Sequence, residues 1–86
     1  MPIFISKITV TLRRSILDPQ GKAVHHALEN LGLHSVQDVR IGKFIEIKLN
    51  AVSELEARAV VEQACKKLLS NPVMEDFSFT IENIAE

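Results

Sequence analysis

The chain has 86 residues, of which 47% are hydrophobic and 24% charged, with a formal net charge of −1. This composition is typical of a folded globular protein and argues against a disordered one. Charge near zero and the lack of Trp and Tyr argue against a nucleic-acid binder, which concentrates positive charge and stacking aromatics. We predict one domain, 1–86, whose core is small enough to make association with other chains an expected source of stability.

The sequence also argues against membrane attachment and secretion. No apolar run approaches the about 18 residues of a membrane span. The first ten residues lack the basic leader and apolar run of a signal peptide. The single cysteine, Cys65, cannot form a disulfide within the chain. These features predict a cytoplasmic protein that binds neither membrane nor nucleic acid.

The predicted elements begin with a strand and a helix. Apolar and polar residues alternate from roughly Ile3 to Arg14, which predicts a strand with one apolar face. Asp18 is a good N-cap and Pro19 suits the first helical position, so the helix is expected to begin there and to end at Gly32. The apolar residues of this helix repeat at i, i+3, i+4 and i+7: Val24, Ala27, Leu28 and Leu31.

We predict that the second strand is long, from about Val36 to Leu49, and bent or bulged at Gly42. A two-residue hairpin turn at Gly42 and Lys43 is the alternative, but it would set charged residues opposite apolar ones, as with Arg40 and Ile45. In one continuous strand Lys43 falls on the apolar face. We interpret this as a strand that extends past its own helices, with its far half covered by another subunit.

The second helix has a complete start signal. Ser53 is the N-cap, and Glu56 follows three residues later as in a capping box. The helix is expected to end at Asn71 because Pro72 disfavours helical geometry in the residue before it. A last strand follows from about Met74 to Glu82. The apolar stripe of the second helix contains Ala57, Val60, Val61, Ala64, Cys65 and Leu68.

Strands with one apolar face and helices with one apolar stripe predict a two-layer α+β sandwich. We expect a mainly antiparallel sheet with both helices on one face, in the order β-α-β-α-β with a long bent central strand. A ferredoxin-like β-α-β-β-α-β arrangement is the alternative. The other sheet face carries mixed residues and would be solvated or stacked on another copy.

The reactive side chains form no recognised catalytic or ligand set. His25 and His26 are adjacent on a helix, so they diverge by about 100° and lack the i, i+4 spacing of a helical zinc pair; we expect both to be exposed. The DPQGK segment lacks the glycine pair and Lys-Ser/Thr of a phosphate loop. Cys65 is expected to be a small buried hydrophobe. We therefore predict no catalytic, cofactor-binding or metal-binding residue.

Three short segments are not explained by packing: LDPQG (17–21), VRIGK (39–43) and NPV (71–73). Gly21 is the clearest case, because glycine in the first turn weakens a helix. We expect a neighbouring subunit to approach that turn closely enough to leave no room for a side chain.

These segments, with ALENLG, CKKLL and MEDFSFTIE at the same spacings, resemble the PurS family over nearly the whole chain. PurS proteins are small subunits of phosphoribosylformylglycinamidine synthase, in the fourth step of de novo purine synthesis. The resemblance implies a non-catalytic subunit that bridges a large synthase subunit and a glutaminase subunit and supports ammonia transfer between them. The complex would convert formylglycinamide ribonucleotide, glutamine and ATP into formylglycinamidine ribonucleotide, glutamate, ADP and phosphate.

The resemblance also implies a homodimer or dimer of dimers, with no cofactor bound by this subunit alone and with ATP and Mg²⁺ used by the complex. The alternative function is a free-standing ferredoxin-like regulatory module that binds a small metabolite at a dimer interface. By resemblance, nine residues are expected to be interface or structural positions, not catalytic ones: Asp18, Pro19, Gln20, Gly21, Arg40, Gly42, Lys43, Asn71 and Pro72.

Overall fold

The structure, a computed structural model, describes residues 2–84 as a three-stranded antiparallel sheet with two helices. This confirms the predicted α+β class, and the ferredoxin-like alternative also fits the arrangement. The strand order is β2-β1-β3, so β1 is central. The elements in chain order are β1 (Ile3–Leu12), α1 (Pro19–Asn30), β2 (Gly42–Asn50), α2 (Glu54–Ala64), a π-helical turn (Cys65–Leu69) and β3 (Glu75–Asn83).

The sheet has a buried inner face and an exposed outer face, as the alternation in β1 predicts. Ile8 and Val10 are 0% and 1% exposed, whereas Thr9 between them is exposed. Across the strands Ile8 lies opposite Ile45 of β2 and Phe79 of β3, so one apolar row crosses the whole sheet.

Helix α2 covers the inner face. Ala57, Val61 and Cys65 recur every fourth residue, so they share one side of the helix, and all three are fully buried. Val61 and Cys65 form one core cluster with Ile8 and Val10. A second buried cluster contains Phe4, Ala51 and Ala57, so the core lies between β1 and α2.

The start of α2 follows the predicted cap with one difference. The Ser53 hydroxyl accepts a hydrogen bond from the backbone N–H of Glu56 at 3.2 Å. The Glu56 carboxylate accepts from the N–H of Val52 at 2.7 Å, one residue earlier than in a regular capping box. The helix then passes into the π-helical turn instead of remaining α-helical to Asn71.

The long second strand predicted from Val36 is wrong, and so is the hairpin turn at Gly42. Strand β2 begins at Gly42, which pairs with Thr11 near the end of β1. Residues 36–41 have no strand partner because β1 ends at Leu12, two residues before the predicted Arg14. The side chains of Asp18 and Arg40 attach this segment instead.

Helix α1 begins and ends as predicted but lies in a different place. Asp18 is its N-cap, and Gly32 follows its C-terminus with φ +87°, a left-handed conformation that favours glycine. The expectation that both helices pack on the sheet holds only for α2. Val24 and Leu31, from the apolar stripe of α1, are 40% and 74% exposed, because no strand lies beneath them.

The overall shape shows where α1 lies. The Cα radius of gyration is 16.8 Å, against about 12 Å for a compact domain of this length. The long axis is 52 Å. A strand as long as β1 spans about 33 Å and a helix as long as α1 about 18 Å, so the two placed end to end account for that axis. Residues 13–41, which we call the α1 arm, therefore extend beyond one end of the sheet.

Candidate functional site

The three unexplained segments meet where β1 leaves the sheet. Strand β1 ends at Leu12, α1 begins at Pro19, β2 begins at Gly42 and β3 begins at Glu75, all at the same end. We call this place the junction, and define it as the nine motif residues together with the Leu12–Arg14 backbone. Its hydrogen bonds attach the α1 arm to the sheet.

Asp18 is the central group of the junction and is 4% exposed. One carboxylate oxygen accepts from the N–H of Gly21 at 2.9 Å, and the other accepts from the N–H of Ile41 at 2.8 Å. The bond from Ile41 and then that from Gly21 lower the pKa of Asp18, with a further contribution from the charge of Arg40. One ionised side chain thus joins the first turn of α1 to the residue before β2.

Gly21 is buried against the returning segment of the arm. A Cβ on this residue would overlap the carbonyl oxygen of Val39 and also crowd the Asp18 carboxylate. The prediction of close approach was right, but the neighbour is this chain's own backbone and not another subunit. Gly42 has a similar reason, since its Cβ would lie 2.6 Å from the carbonyl oxygen of Val10 on β1.

Arg40 closes the other side of the junction. Its Nη2 donates to the carbonyl oxygens of Arg13 and Leu12, at 2.7 and 3.2 Å. These carbonyls belong to the last residue of β1 and the residue after it, so the guanidinium occupies the position where a strand partner would otherwise donate. The side chain therefore holds residues 39–41 against β1 without extending the sheet.

Lys43 lies on the inner face, as its strand parity predicts, opposite Val10. Its Nζ is 3.4 Å from the carbonyl oxygen of Leu69, at the end of the π-helical turn, and 3.9 Å from the carboxylate of Glu75. A cation at the C-terminus of a helical segment complements the exposed carbonyls there. Contacts within its own chain are thus a sufficient reason for a lysine at this position.

Asn71 and Pro72 attach β3 to the same place. The Asn71 side chain accepts from the N–H of Val73 at 2.9 Å, and its own N–H donates to Glu75 at 2.7 Å. The Pro72 carbonyl accepts from Arg13 Nη2 at 2.7 Å. The turn before β3 is therefore bonded to the residue that follows β1.

Pro19 and Gln20, between the buried Asp18 and Gly21, are both exposed. Gln20 is the one polar motif residue whose side chain has no partner among residues 2–84. The junction thus uses most motif side chains for contacts within the chain and presents Gln20 to other molecules. The predicted interface role of these residues stays a prediction, which Gln20 fits best.

Two side chains in or beside the junction were missed or misjudged from the sequence. Arg13 was not predicted, although it also lies 3.3 Å from the Asp76 carboxylate; an arginine immediately after an apolar strand was the available signal. His25, expected to be exposed, is half-buried, and its Nε2 lies 2.8 Å from the carbonyl oxygen of Val36. No local pattern shows this contact, because Val36 belongs to the returning segment.

The chemistry available around the junction is limited. An open cavity of about 480 Å³ lies beside the start of α1 and is lined in part by Arg14, Lys22 and His25. Asp18 and Arg40 in its wall are already bonded to backbone groups. Within residues 2–84 no three His, Cys, Asp or Glu side chains are placed to hold a metal ion, and none of the helices there could span a membrane.

Cys65 is the single cysteine of the chain. It is fully buried under α2, and burial, followed by the nearby charge of Glu62, raises the pKa of its thiol. A buried neutral thiol is a poor nucleophile at neutral pH. The prediction that Cys65 is a small core residue is confirmed.

Comparison with known proteins gives one consistent family. The family model described as PurS, phosphoribosylformylglycinamidine (FGAM) synthase, matches residues 5–83. The PurS subunit of FGAM synthase from Bacillus subtilis is 44% identical over 78 residues, covering 91% of this chain and 92% of that protein. The Synechocystis PurS subunit is 47% identical over 75 residues, covering 87% of this chain and 75% of that protein.

Solved structures agree with the sequence comparisons. A crystal form of Bacillus subtilis PurS matches with a TM-score of 0.84 at 42% identity, covering 93% of this chain and 99% of that one. A chain in the structure of PurLQS from Thermotoga maritima matches with a TM-score of 0.88 at 32% identity, covering 95% and 100%. The similarity thus includes the extended α1 arm as well as the sheet.

Proposed function

The chain belongs to the PurS family and is a subunit of FGAM synthase of purine biosynthesis, and we propose that within this synthase it connects the large synthase subunit to the glutaminase subunit. In this role it performs no catalysis of its own and supports ammonia transfer between the two larger chains. The observation that carries the proposal is the family match across residues 5–83. The structural likeness to a chain of the PurLQS assembly supports it.

The junction geometry supports a connecting role more than a regulatory one. A free-standing metabolite-binding module would need Asp18, Arg40 and Lys43 to face a ligand. Instead, Asp18 accepts two backbone hydrogen bonds, Arg40 donates to two carbonyls, and Lys43 lies between Leu69 and Glu75. These groups would have to break internal bonds before binding an anion or an amino acid, which disfavours the regulatory alternative.

We also propose the finer features that the family membership suggests. The chain acts in the cytoplasm as a homodimer or dimer of dimers, and ATP and Mg²⁺ are used by the larger subunits, not by this one. A radius of gyration well above that of a compact domain supports self-association, because an extended small chain leaves apolar surface to cover. Both sheet edges, β2 and β3, and the α1 arm are available for contacts with partners.

Reconstitution of the synthase tests the proposal. The large subunit and the glutaminase subunit are assayed with and without this chain, once with glutamine and once with ammonia as the nitrogen donor. A connector is expected to be required for glutamine-dependent synthesis and to have a much smaller effect with ammonia, which needs no transfer between subunits. Equal glutamine-dependent activity with and without the chain would rule the proposal out.

A matched pair of variants refines the assay. Gln20→Ala changes the one polar motif side chain without a partner in the described chain, and His26→Ala changes an exposed side chain on the other side of α1. If the motif contacts a larger subunit, Gln20→Ala raises the concentration of this chain needed for half-maximal glutamine-dependent activity, and His26→Ala does not. An equal shift for both variants would remove Gln20 from the interface.

A further inference from the structure

The outer edge of β3 is an open strand edge. Strand β3 pairs with β1 along its whole length, Glu75–Asn83, and the register runs through nine residues without a bulge. In the order β2-β1-β3, no other strand among residues 2–84 pairs with its far side. Strands usually have about five or six residues, so β3 presents an unusually long edge.

The hydrogen bonds to β1 show which backbone groups of β3 point away from the sheet. At its two ends, the N–H of Arg13 donates to the Met74 carbonyl and the N–H of Ile84 donates to the Ile3 carbonyl, both at 2.9 Å. In an antiparallel pair, residues bonded to the neighbouring strand alternate with residues whose N–H and C=O point outward. The even-numbered residues of β3 therefore bond to β1, and three odd-numbered ones direct both groups outward: Phe77, Phe79 and Ile81.

The β3 edge lacks the features that usually protect a strand edge. Folded proteins guard such edges with lysines, prolines, bulges or charges that point to the inner face. The edge strand β2 carries Lys43 on its inner face and Lys48 on its outer face. From Phe77 to Ile81, β3 has neither a charge nor a proline, and no residue there has a positive φ. Of the two edges, β3 is thus the one suited to accept a further strand.

A cleft beside β3 gives room for the side chains of such a strand. It has a volume of about 550 Å³ and lies between the π-helical turn and the first half of β3, with Lys66, Pro72 and Phe77 in its wall. Phe77 and Phe79 stack with ring centroids 6.3 Å apart, and both are half-buried. A residue paired with Phe77 across the edge directs its side chain to the same face of the sheet. Backbone bonds would then supply affinity and the cleft specificity.

The charges of β3 indicate what kind of chain occupies the edge. Asp76 and Glu82 lie near the two ends of β3 on the outer face, and the strand contains no basic residue. Two β3 strands paired antiparallel over their whole length, about Phe79, would place Asp76 of each copy opposite Glu82 of the other. Like charges directly opposite destabilise a strand pair. The edge therefore favours a different chain over a second copy.

We propose that the β3 edge binds an extended segment of a larger synthase subunit, which adds a strand to the sheet. The segment directs apolar side chains to the inner face, beside Phe77 and Phe79, and basic side chains to the outer face, toward Asp76 and Glu82. The inference rests on the proposed function in taking the partner to be a synthase subunit, and it specifies the surface. Backbone bonds between two chains hold them in a fixed register, as a connecting subunit requires.

Amide hydrogen exchange tests the proposal when it is read residue by residue in the free chain and in the assembled synthase. The outward N–H groups of Phe77, Phe79 and Ile81 are expected to exchange at least tenfold more slowly in the complex, because they become hydrogen-bonded. The N–H groups of Ser78 and Thr80 bond to β1 and serve as internal controls, protected in both states. Protection of the outward groups in the free chain that increases with its concentration would assign the edge to a second copy and overturn the proposal.

A matched pair of variants separates backbone bonding from side-chain packing. Phe79→Pro and Phe79→Ala both remove the aromatic ring, but only proline removes the outward N–H, and an edge strand tolerates proline at such a position. Loss of that bond is expected to raise the concentration of chain needed for half-maximal glutamine-dependent activity about tenfold for Phe79→Pro relative to Phe79→Ala. Ile81→Pro and Ile81→Ala replace the pair if Phe79→Pro fails to fold by circular dichroism.

The outcomes separate this surface from the proposed function. An active complex in which the outward β3 amides exchange as fast as in the free chain would overturn the edge proposal and leave the connecting role intact. Equal half-maximal concentrations for the folded proline and alanine variants would overturn it as well. If the two larger subunits have the same glutamine-dependent activity without this chain, the connecting role itself fails, and the edge proposal fails with it.

Discussion

The unit formed by the sheet and α2 differs from the α1 arm in how it is held together. In the first, Ile8, Val61 and Cys65 are fully buried, so apolar burial is the main stabilising contribution. In the second, Asp18 and Arg40 make hydrogen bonds to backbone groups, while the apolar stripe remains exposed. The hydrogen bonds fix the direction of the arm, and its apolar stripe is not covered by the described part of the chain.

This difference explains why the three segments that packing did not explain meet at the junction. A core tolerates many apolar side chains of similar volume. A carboxylate that accepts from two particular N–H groups can be replaced by very few side chains, and so can a glycine that lies against a carbonyl oxygen. The motif residues therefore determine the direction of the α1 arm, while ordinary apolar residues determine the stability of the sheet and α2.

The largest expected effect comes from the core. Ile8→Ala removes a fully buried side chain and is expected to lower the free energy of unfolding by about 2–5 kcal/mol, through lost burial and the cavity it leaves. Leu31→Ala in the arm removes a side chain that is 74% exposed. At protein concentrations where the chain is monomeric, it is expected to cost less than about 1 kcal/mol. Denaturant unfolding of both variants measures the two losses in free energy of unfolding. Equal losses would contradict the difference between the core and the arm.

The next effect comes from the junction. Gly21→Ala forces a methyl group against the carbonyl of Val39, and we expect a loss of about 1–3 kcal/mol because the backbone must shift. The neighbouring change Lys22→Ala affects an exposed side chain and is expected to stay within about 0.5 kcal/mol. Thermal unfolding compares the two. A wild-type melting temperature for Gly21→Ala would show that the arm is not held at this contact.

The smallest effect depends on pH. Because the pKa of Asp18 is lowered below 3.8 in the folded chain, its carboxylate contributes stability that is fully present above that pH. This contribution is lost as the pH falls through the folded pKa. Asp18→Asn is expected to lower the melting temperature by a few degrees, about the effect of a lost N-cap, and the gap to wild type should narrow from pH 5 to pH 2. A gap independent of pH would show that the ionised form is not required.

The sequence predicted β1, β3 and the starts of both helices well because the signals for these features are local. Alternation in β1 and β3, the Ser53 cap and the Asp18-Pro19 start depend on residues close together in the chain. The observed bounds of β1, α1 and β3 lie within about two residues of the predicted ones, as expected for element ends. The α+β class followed from the same patterns.

The position of the α1 arm was not predictable in the same way. Whether residues 36–41 form a strand depends on where β1 ends and on the Asp18 and Arg40 bonds, which link residues more than 20 positions apart. An apolar stripe on a helix likewise indicates that something covers it, but not whether the covering surface belongs to the same chain. The long strand was wrong because local alternation does not show these distant bonds, and α1 was placed on the sheet because its stripe was assumed to be covered by its own chain.

The most direct test of the account is the solution mass of Ala27→Asp beside that of His26→Asp. Ala27 is the centre of the exposed stripe and His26 points about 100° away from it around the helix, so the two variants place the same charge on and off the stripe. The account predicts that Ala27→Asp stays folded by circular dichroism, has the 9.6 kDa mass of one chain and loses glutamine-dependent synthase activity, while His26→Asp keeps the wild-type mass and activity. A folded Ala27→Asp variant with wild-type mass and activity would contradict the claim that the α1 arm is an assembly surface.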